Sequence, residues 1–185
     1  VQGIKVYTNI SENDFVSMAA SLESGSLHPL GQAIVEYAKD KNMNLEQPEN
    51  FTNISGRGIQ AKLNGHVYLA GNKRLLEEKN IRINQNVLSD LDAYASLGQT
   101  PLIFVEDQNV IGLISVADTV RSTSQVALEQ FKQKNMHVVM LTGDNKKTAE
   151  AIGKSLSVDE VISDVLPQDK ESVIRKLQEQ GKKVM

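Results

Sequence analysis

The sequence predicts an α/β protein in which an α+β module with an antiparallel sheet is followed by part of a Rossmann-like parallel α/β module. Between residues 58 and 118, apolar strands come in pairs around short polar turns, as in antiparallel hairpins. After residue 118, short apolar strands alternate with single helices, which is typical of right-handed crossovers in a parallel sheet. We therefore predict two domains, residues 1–117 and 118–185, of which the second is incomplete.

Three helices are predicted in the first module from apolar residues at helical spacing. They cover residues 11–24, 30–42 and 86–98. Ser11 is a suitable N-cap for the first helix. Pro29 fits the first position of the second helix, because no amide donor is needed there. Gly98 is suited to close the third helix.

Two hairpins complete the first module. Apolar and polar residues alternate over residues 58–71 on both sides of Asn64-Gly65, a dipeptide that favours a type I′ turn. A second pair of apolar runs covers residues 100–118 and surrounds the polar residues 107–109. Both segments therefore predict antiparallel strand pairs.

The second module is predicted as an alternating series of helices and strands. The helices are expected near residues 122–135, 145–156 and 168–181, and the strands over residues 137–143 and 160–164, with a strand starting at 182–185. Such a series indicates a parallel sheet.

The composition argues against several classes of function. The net charge is −3 and the basic residues are spread along the chain, so nucleic-acid binding is not expected. No apolar run approaches the roughly 20 residues that cross a bilayer. Without cysteine and with three scattered histidines, neither disulfides nor a structural zinc site are expected. Because the chain begins without methionine and ends at the start of a predicted strand, we expect both ends to be cuts through a larger protein.

The segment after the strand near residue 140 is a candidate phosphate site. Thr142, Gly143 and Asp144 follow this apolar strand and precede a helix. Ligands of open α/β sheets bind beyond the carboxyl ends of the strands, and a hydroxyl beside helix N-terminal amides suits a phosphate oxygen. Asp144 would either cap the helix or face a metal. The alternative is an ordinary turn made of good turn residues.

Lys170 and Asp118 are candidates for the same phosphate site, on the rim of the parallel sheet formed by the carboxyl ends of its strands. Lys170 lies in the first turn of a predicted helix, where a cation is unfavourable unless an anion lies nearby. Alternatively, Lys170 is simply exposed and Asp169 offsets its cost. Asp118 ends an apolar strand where the architecture changes, and it is either a helix cap or a hinge residue that faces the rim.

Glycine-containing segments flank the first hairpin. Gly56 and Gly58 precede its first strand, and Gly71 and Asn72 follow its second strand. The missing side chains would leave backbone surface against which a flat ligand could lie. The alternative is that these glycines only form a bulge or a turn.

His28 and Glu23 are candidates for contacts with such a ligand. His28 stands directly before Pro29 at the start of an amphipathic helix, and it could offer a ring or a hydrogen bond to a base. Glu23 could accept a hydrogen bond from an amino group. The alternative for His28 is a helix-terminal residue that bonds to the backbone.

With these segments in order, the sequence resembles the cytoplasmic catalytic region of heavy-metal-transporting P-type ATPases over nearly its whole length. "GSLHPLGQAIV" resembles the family's "SEHPLA-AIV", "GRGI" its "GxG" element and "AGNKRLL" its "GN-x-R" element. "VADTVRSTS", "MLTGDNKKTAEAIG" and "VLPQDK" are similar to the family's phosphorylation-domain segments, in the same order.

The resemblance implies that the first module is a nucleotide-binding domain, in which His28 orients the base of ATP. The other residues that would form this site are Glu23, Gly56, Gly58, Gly71 and Asn72. The second module would be the carboxy-terminal part of a haloacid-dehalogenase-type phosphorylation domain. There Thr142 would bind the transferred phosphoryl group and Lys170 would neutralise its charge, with Asp118 and Asp144 near Mg²⁺. No metal-ligating residue set is assigned.

The resemblance also implies activity and context for the complete protein. It would hydrolyse ATP through an aspartyl-phosphate to drive metal transport, with copper or silver favoured by "VADTVRSTS" and "VLPQDK". The partners would be the actuator and transmembrane domains and the rest of the phosphorylation domain. This chain would be a cytoplasmic part of a cell-membrane protein, without direct membrane contact and without nucleic acid.

This sequence departs from the family in two respects. Leu27 replaces the glutamate of the family's "SEHP". The "DKTGT" segment with the nucleophilic aspartate is expected before Val1, and the "GDGxND" segment is expected after Met185. This chain alone is therefore expected to bind nucleotide and to do little chemistry.

Two other functions remain open at this point. One is a soluble phosphatase of the same superfamily, with the first module as its cap. The other is a nucleotide-binding module without catalysis. The combination of His28 with "GRGI" and "GN" favours the transporter, because a cap has no need of it.

Overall fold

The computed structural model describes residues 1–117, 122–181 and 183–184. The Cα positions divide the chain into two compact units. The first contains β1 to β6, α1 to α3 and α4 up to Ala95, and the second contains the elements from α5 onward. The predicted boundary between residues 117 and 118 lies at the edge of a described range, so it stays a prediction.

The first unit is built on a six-stranded antiparallel sheet in the order β1-β6-β5-β4-β3-β2. Its strands are β1 (Gly3–Val6), β2 (Glu49–Ile54), β3 (Gly58–Leu63), β4 (His66–Gly71), β5 (Thr100–Glu106) and β6 (Asn109–Val116). Its helices are α1 (Glu12–Glu23), α2 (Pro29–Asp40), α3 (Lys73–Glu78) and α4 (Gln85–Ser96).

Two apolar clusters cover the two faces of this sheet. Neighbouring residues of a strand point to opposite faces, and in β5 both Ile103 and Phe104 are fully buried. Phe104 packs edge-on against Phe15 of α1, with ring centroids 5.5 Å apart. Ile103 belongs to the other cluster, which includes Leu75 of α3 and Leu91 of α4. The sheet therefore lies between α1 and α2 on one side and α3 and α4 on the other.

The predicted hairpins are confirmed. Asn64 and Gly65 join β3 to β4 with φ angles of 51° and 86°, as a type I′ turn requires. Asp107 and Gln108, with φ angles of 41° and 82°, join β5 to β6. Asn109 already belongs to β6.

The second unit contains a short parallel sheet. Its elements are α5 (Ser122–Gln133), β7 (Val139–Leu141), α6 (Lys146–Leu156), β8 (Glu160–Ile162), a 3-10 turn (Pro167–Asp169) and α7 (Lys170–Glu179). β7 and β8 are parallel and in register from Val139 opposite Glu160 to Leu141 opposite Ile162. The predicted α/β fold class is thereby confirmed.

Three elements of the first unit escape the sequence pattern, and two strands are shorter than predicted. β2 is a polar edge strand with an irregular register between Glu49 and Thr52. α3 has only six residues, and β1 is a four-residue strand at the other edge of the sheet. β7 and β8 have three residues each, since the chain turns immediately after β7. The strand start predicted at 182–185 lies largely outside the described residues.

Within the described part of the chain, no helix is both long and apolar enough to span a bilayer.

Candidate functional site

His28 is the N-cap of α2, and its ring is exposed. Its backbone is extended, and its Nδ1 accepts a hydrogen bond from Leu30 N at 3.3 Å. Pro29 occupies the first helical position, where its missing donor costs nothing. Because Nδ1 acts as an acceptor, the neutral ring carries its proton on Nε2, on the other side of the ring, where no described residue accepts it. The backbone contact expected as the alternative is present, and it fixes the tautomer of an exposed imidazole.

Glu23 lies inside the junction between α1 and α2, and only 4% of the residue is exposed. Burial raises the pKa of its carboxyl to about 7, against an opposing effect of the hydrogen bond from Ser26. Gly31 of α2 packs directly against this carboxyl, and a Cβ at Gly31 would overlap Glu23 Oε2. The structure thus places Glu23 beneath the loop that carries His28, and its contact with a ligand amino group stays a prediction.

Gly56, Gly58, Gly71 and Asn72 are brought together at one end of the β3–β4 hairpin. Gly58 pairs with Gly71, and a Cβ at Gly58 would lie 2.6 Å from the Cα of Gly71. Asn72 Nδ2 donates to Gly56 O at 3.0 Å, and Asn72 N donates to Arg57 O at 2.9 Å. The close approach of two backbones is enough to require glycine at both strand positions. Their binding role stays a prediction.

The His28 loop and the glycine hairpin are linked through β2. A Cβ at Gly25 would lie 3.0 Å from the ring of Phe51, which belongs to β2. β2 pairs in turn with β3, where Ile54 stands opposite Gly58. The link between the two groups of predicted residues is therefore indirect.

Two cavities of the described residues are lined by residues other than the predicted site residues. One cavity of about 360 Å³ lies along α7, between Gln168 and Glu179. The other, of about 640 Å³, lies between Asn80 and the β5–β6 turn. Neither is lined by a predicted site residue.

Thr142 and Asp144 form a compact polar group beyond β7. Thr142 Oγ1 donates to Asp144 Oδ2 at 2.7 Å and accepts from Asp144 N at 3.1 Å. Thr142 N also donates to Ile162 O at 3.0 Å, which ties the group to β8. Of the two roles open to Asp144, the helix cap is wrong, because Asn145 caps α6 by accepting from Thr148 N at 3.1 Å.

Lys170 is exposed and is the first residue of α7, after the 3-10 turn. Since β7 and β8 are adjacent and parallel, the segments that follow them begin at the same edge of the sheet. Thr142 follows β7 directly, and Lys170 stands eight positions after Ile162, the last residue of β8. Asp118, the remaining predicted residue of this rim, lies outside the described residues.

Two residues beneath His28 were not singled out from the sequence. Ser26 is buried between Glu23 and His28, and Gly31 stands in the first turn of α2 against Glu23. Glycine inside a helix costs about 1 kcal/mol relative to alanine. A glycine at position 31, inside a predicted helix, was therefore the sequence signal that α2 packs closely against a neighbour there.

Residues 4–185 match the sequence model of the haloacid dehalogenase-like hydrolases, and the chain belongs to this family. Among curated proteins it is 41% identical over 175 residues to a copper-exporting P-type ATPase of Staphylococcus epidermidis, covering 95% of this chain and 22% of that protein. It is 40% identical over 173 residues to the copper-exporting P-type ATPase of Staphylococcus aureus, covering 94% of this chain and 22% of that protein.

Solved structures give the same result. A zinc-transporting PIB-type ATPase in its E2.Pi state is 31% identical with a TM-score of 0.61, covering 97% of this chain and 29% of that one. The catalytic domain of the CPx-ATPase CopB-B is 24% identical with a TM-score of 0.66 and shares the fold of this chain. The match covers 98% of this chain and 63% of that domain. The resemblance to heavy-metal P-type ATPases is confirmed, and the chain spans 22% of the length of these curated relatives.

Proposed function

We propose that this chain is the ATP-binding domain, residues 1–117, and part of the phosphorylation domain, residues 118–185, of a copper-exporting P-type ATPase. The identity of 41% to a copper-exporting P-type ATPase supports this proposal, because it extends over 95% of the chain. In the complete protein, ATP hydrolysis through an aspartyl-phosphate would drive copper across the membrane.

The fixed and exposed imidazole of His28 carries the nucleotide-binding part of the proposal. Its Nδ1 is held by Leu30 N, so that Nε2–H is available to a purine acceptor and the ring face is available for stacking. Glu23 lies beneath this loop. At the hairpin end, Gly56 is exposed and Gly58 and Asn72 are partly exposed, so these residues would contact the ligand, while the buried Gly71 lets the two backbones approach.

The group formed by Thr142 and Asp144 suits the phosphoryl end of the nucleotide. A threonine hydroxyl at the carboxyl end of a parallel strand can bond a phosphate oxygen, and the Lys170 ammonium can balance its charge. Mg²⁺ prefers oxygen ligands, and Asp144 fits this preference, with Asp118 proposed beside it. When bound, Mg²⁺ would neutralise charge that develops on the phosphate oxygens.

Calorimetry of this chain with ATP, AMP and GTP tests the nucleotide site. ATP and AMP are expected to bind more tightly than GTP, and His28→Ala should abolish this preference. His66→Ala is a matched control, because His66 is also an exposed histidine and lies at the far end of the β3–β4 hairpin. Equal binding of ATP and GTP, or unchanged binding by His28→Ala, would contradict the proposal.

The transported metal is tested in the complete protein. The proposal places this chain on the cytoplasmic side of the cell membrane, beside the actuator and transmembrane domains and the rest of the phosphorylation domain. ATP hydrolysis by the complete protein should be stimulated by Cu⁺ and not by Zn²⁺. The opposite selectivity would keep the P-type ATPase assignment and overturn the choice of copper.

A further inference from the structure

Ser26 is a buried residue, 5% exposed, that connects three parts of the loop between α1 and α2. Its Oγ accepts a hydrogen bond from the backbone N–H of His28 at 3.2 Å. Its own N–H donates to Glu23 O at 2.9 Å, and its carbonyl accepts from the side-chain amide of Gln32. Every polar group of Ser26 is therefore used in holding this loop.

The Ser26 hydroxyl is packed between the carboxyl of Glu23 and the first turn of α2. It lies beside the buried carboxyl of Glu23 and lowers the pKa of that carboxyl against the effect of burial. Both groups lie against Gly31 of α2, where a Cβ would lie 3.0 Å from Ser26 Oγ. Any larger residue at Gly31 would displace them, so Glu23 and Ser26 are closely packed against the first turn of α2.

We propose that Ser26 is a positioning residue for purine recognition, which holds the backbone of His28 and thereby the direction of its imidazole. This inference rests on the nucleotide-binding function proposed above. Ser26 touches no part of the ligand and acts only through His28.

The direction of the hydrogen bonds explains why a hydroxyl is needed at this position. A lone pair of Ser26 Oγ accepts from His28 N, and its O–H remains available to the Glu23 carboxyl beside it. Alanine would do neither. Without this bond, the hydrogen bonds left to His28 among the described residues are those from Leu30 N to its ring and from Gln32 N to its carbonyl. Its backbone N–H would be free to turn, and the exposed ring would sample more directions.

The test is a double-mutant cycle on AMP affinity, measured by calorimetry with this chain. Ser26→Ala should weaken AMP binding about fivefold, the loss expected for one hydrogen bond. In the His28→Ala background, Ser26→Ala should cause no further loss, because its effect passes through the ring. Ser24→Ala is the matched control, since Ser24 is an exposed serine of the same loop that bonds only Ser21 O.

Each result decides the matter. An undiminished affinity of Ser26→Ala, or a full fivefold loss in the His28→Ala background, would overturn the positioning role and leave the proposed function intact. Normal binding by His28→Ala itself would overturn both. If Ser26→Ala does not fold, Ser26→Cys retains the size of the side chain with a weak donor and acceptor, and the same cycle applies to it.

Discussion

Replacing Glu23 by glutamine should stabilise the first unit at pH 8 and flatten the dependence of its stability on pH. Glu23 is 4% exposed, and burial raises the pKa of its carboxyl from 4.5 to about 7 in the folded protein. The folded state therefore binds the proton more tightly than the unfolded state. The contribution is fully favourable below pH 4.5, and it is lost as the pH rises towards 7.

The magnitude follows from the size of this shift. Each pKa unit corresponds to about 1.4 kcal/mol, so the rise of the carboxyl pKa from 4.5 to about 7 gives a loss of about 3 kcal/mol above pH 7. Between pH 5 and pH 8 the wild-type protein should lose about 2.5 kcal/mol that the Glu23→Gln variant keeps. Glutamine has nearly the same shape and carries no charge at any of these pH values.

Urea unfolding followed by tyrosine fluorescence isolates this effect. All four tyrosines lie in the first 95 residues and the chain has no tryptophan, so the signal comes from the first unit. Glu36→Gln is the matched control, because Glu36 is an exposed glutamate on α2. If the free energies of unfolding of wild type and Glu23→Gln change in parallel from pH 5 to pH 8, the carboxyl does not titrate as a buried group.

Three further predictions concern the hairpins and the glycine end. Gly58→Ala should destabilise the first unit by about 3 kcal/mol in the same urea assay, because its φ is 148° and a Cβ would overlap a carbonyl of β4. Asn72→Ala should cost about 1 kcal/mol as a lost cap and should also weaken AMP binding, whereas Asn84→Ala should cost a similar amount and leave AMP binding unchanged. Asp107→Asn should lower the pKa of His66 in an NMR titration, because the Asp107 carboxylate accepts a hydrogen bond from His66 Nδ1 at 2.7 Å and thereby raises this pKa. The stabilisation by this pair is present below the ordinary pKa of histidine and is lost as the pH rises through the raised value; an unchanged titration would contradict it.

The helices and hairpins of the chain were predictable wherever a local signal is strong. Ser11 caps α1, Pro29 begins α2, and Asn64-Gly65 turns the first hairpin. In each case the residue acts on backbone groups within a few positions. No distant part of the chain is needed to determine the conformation, which is why the sequence was sufficient.

The elements that escaped prediction depend on distant partners. β2 is polar, and it becomes a strand because β3 offers it a free edge to pair with. β1 likewise pairs with β6, more than a hundred residues later. α3 is too short to be stable alone, and it exists because Leu75 and Leu76 are fully buried against the sheet. These are tertiary effects that periodicity does not record.

At the candidate site, the sequence gives the residue types and does not show which of them are buried. His28 and Glu23 were selected together from the sequence as ligand contacts, yet His28 is exposed and Glu23 is inside the helix junction. Ser26 was not selected, although it joins the two. The buried Glu23 carboxyl and the buried Ser26 hydroxyl support the loop that carries the exposed His28 ring. A substitution at Glu23 therefore changes the packing beneath this loop, whether or not Glu23 also contacts the ligand. A loss of nucleotide binding in a Glu23 variant would therefore report on the direction of the His28 ring, and only the comparison with His28→Ala separates support from contact.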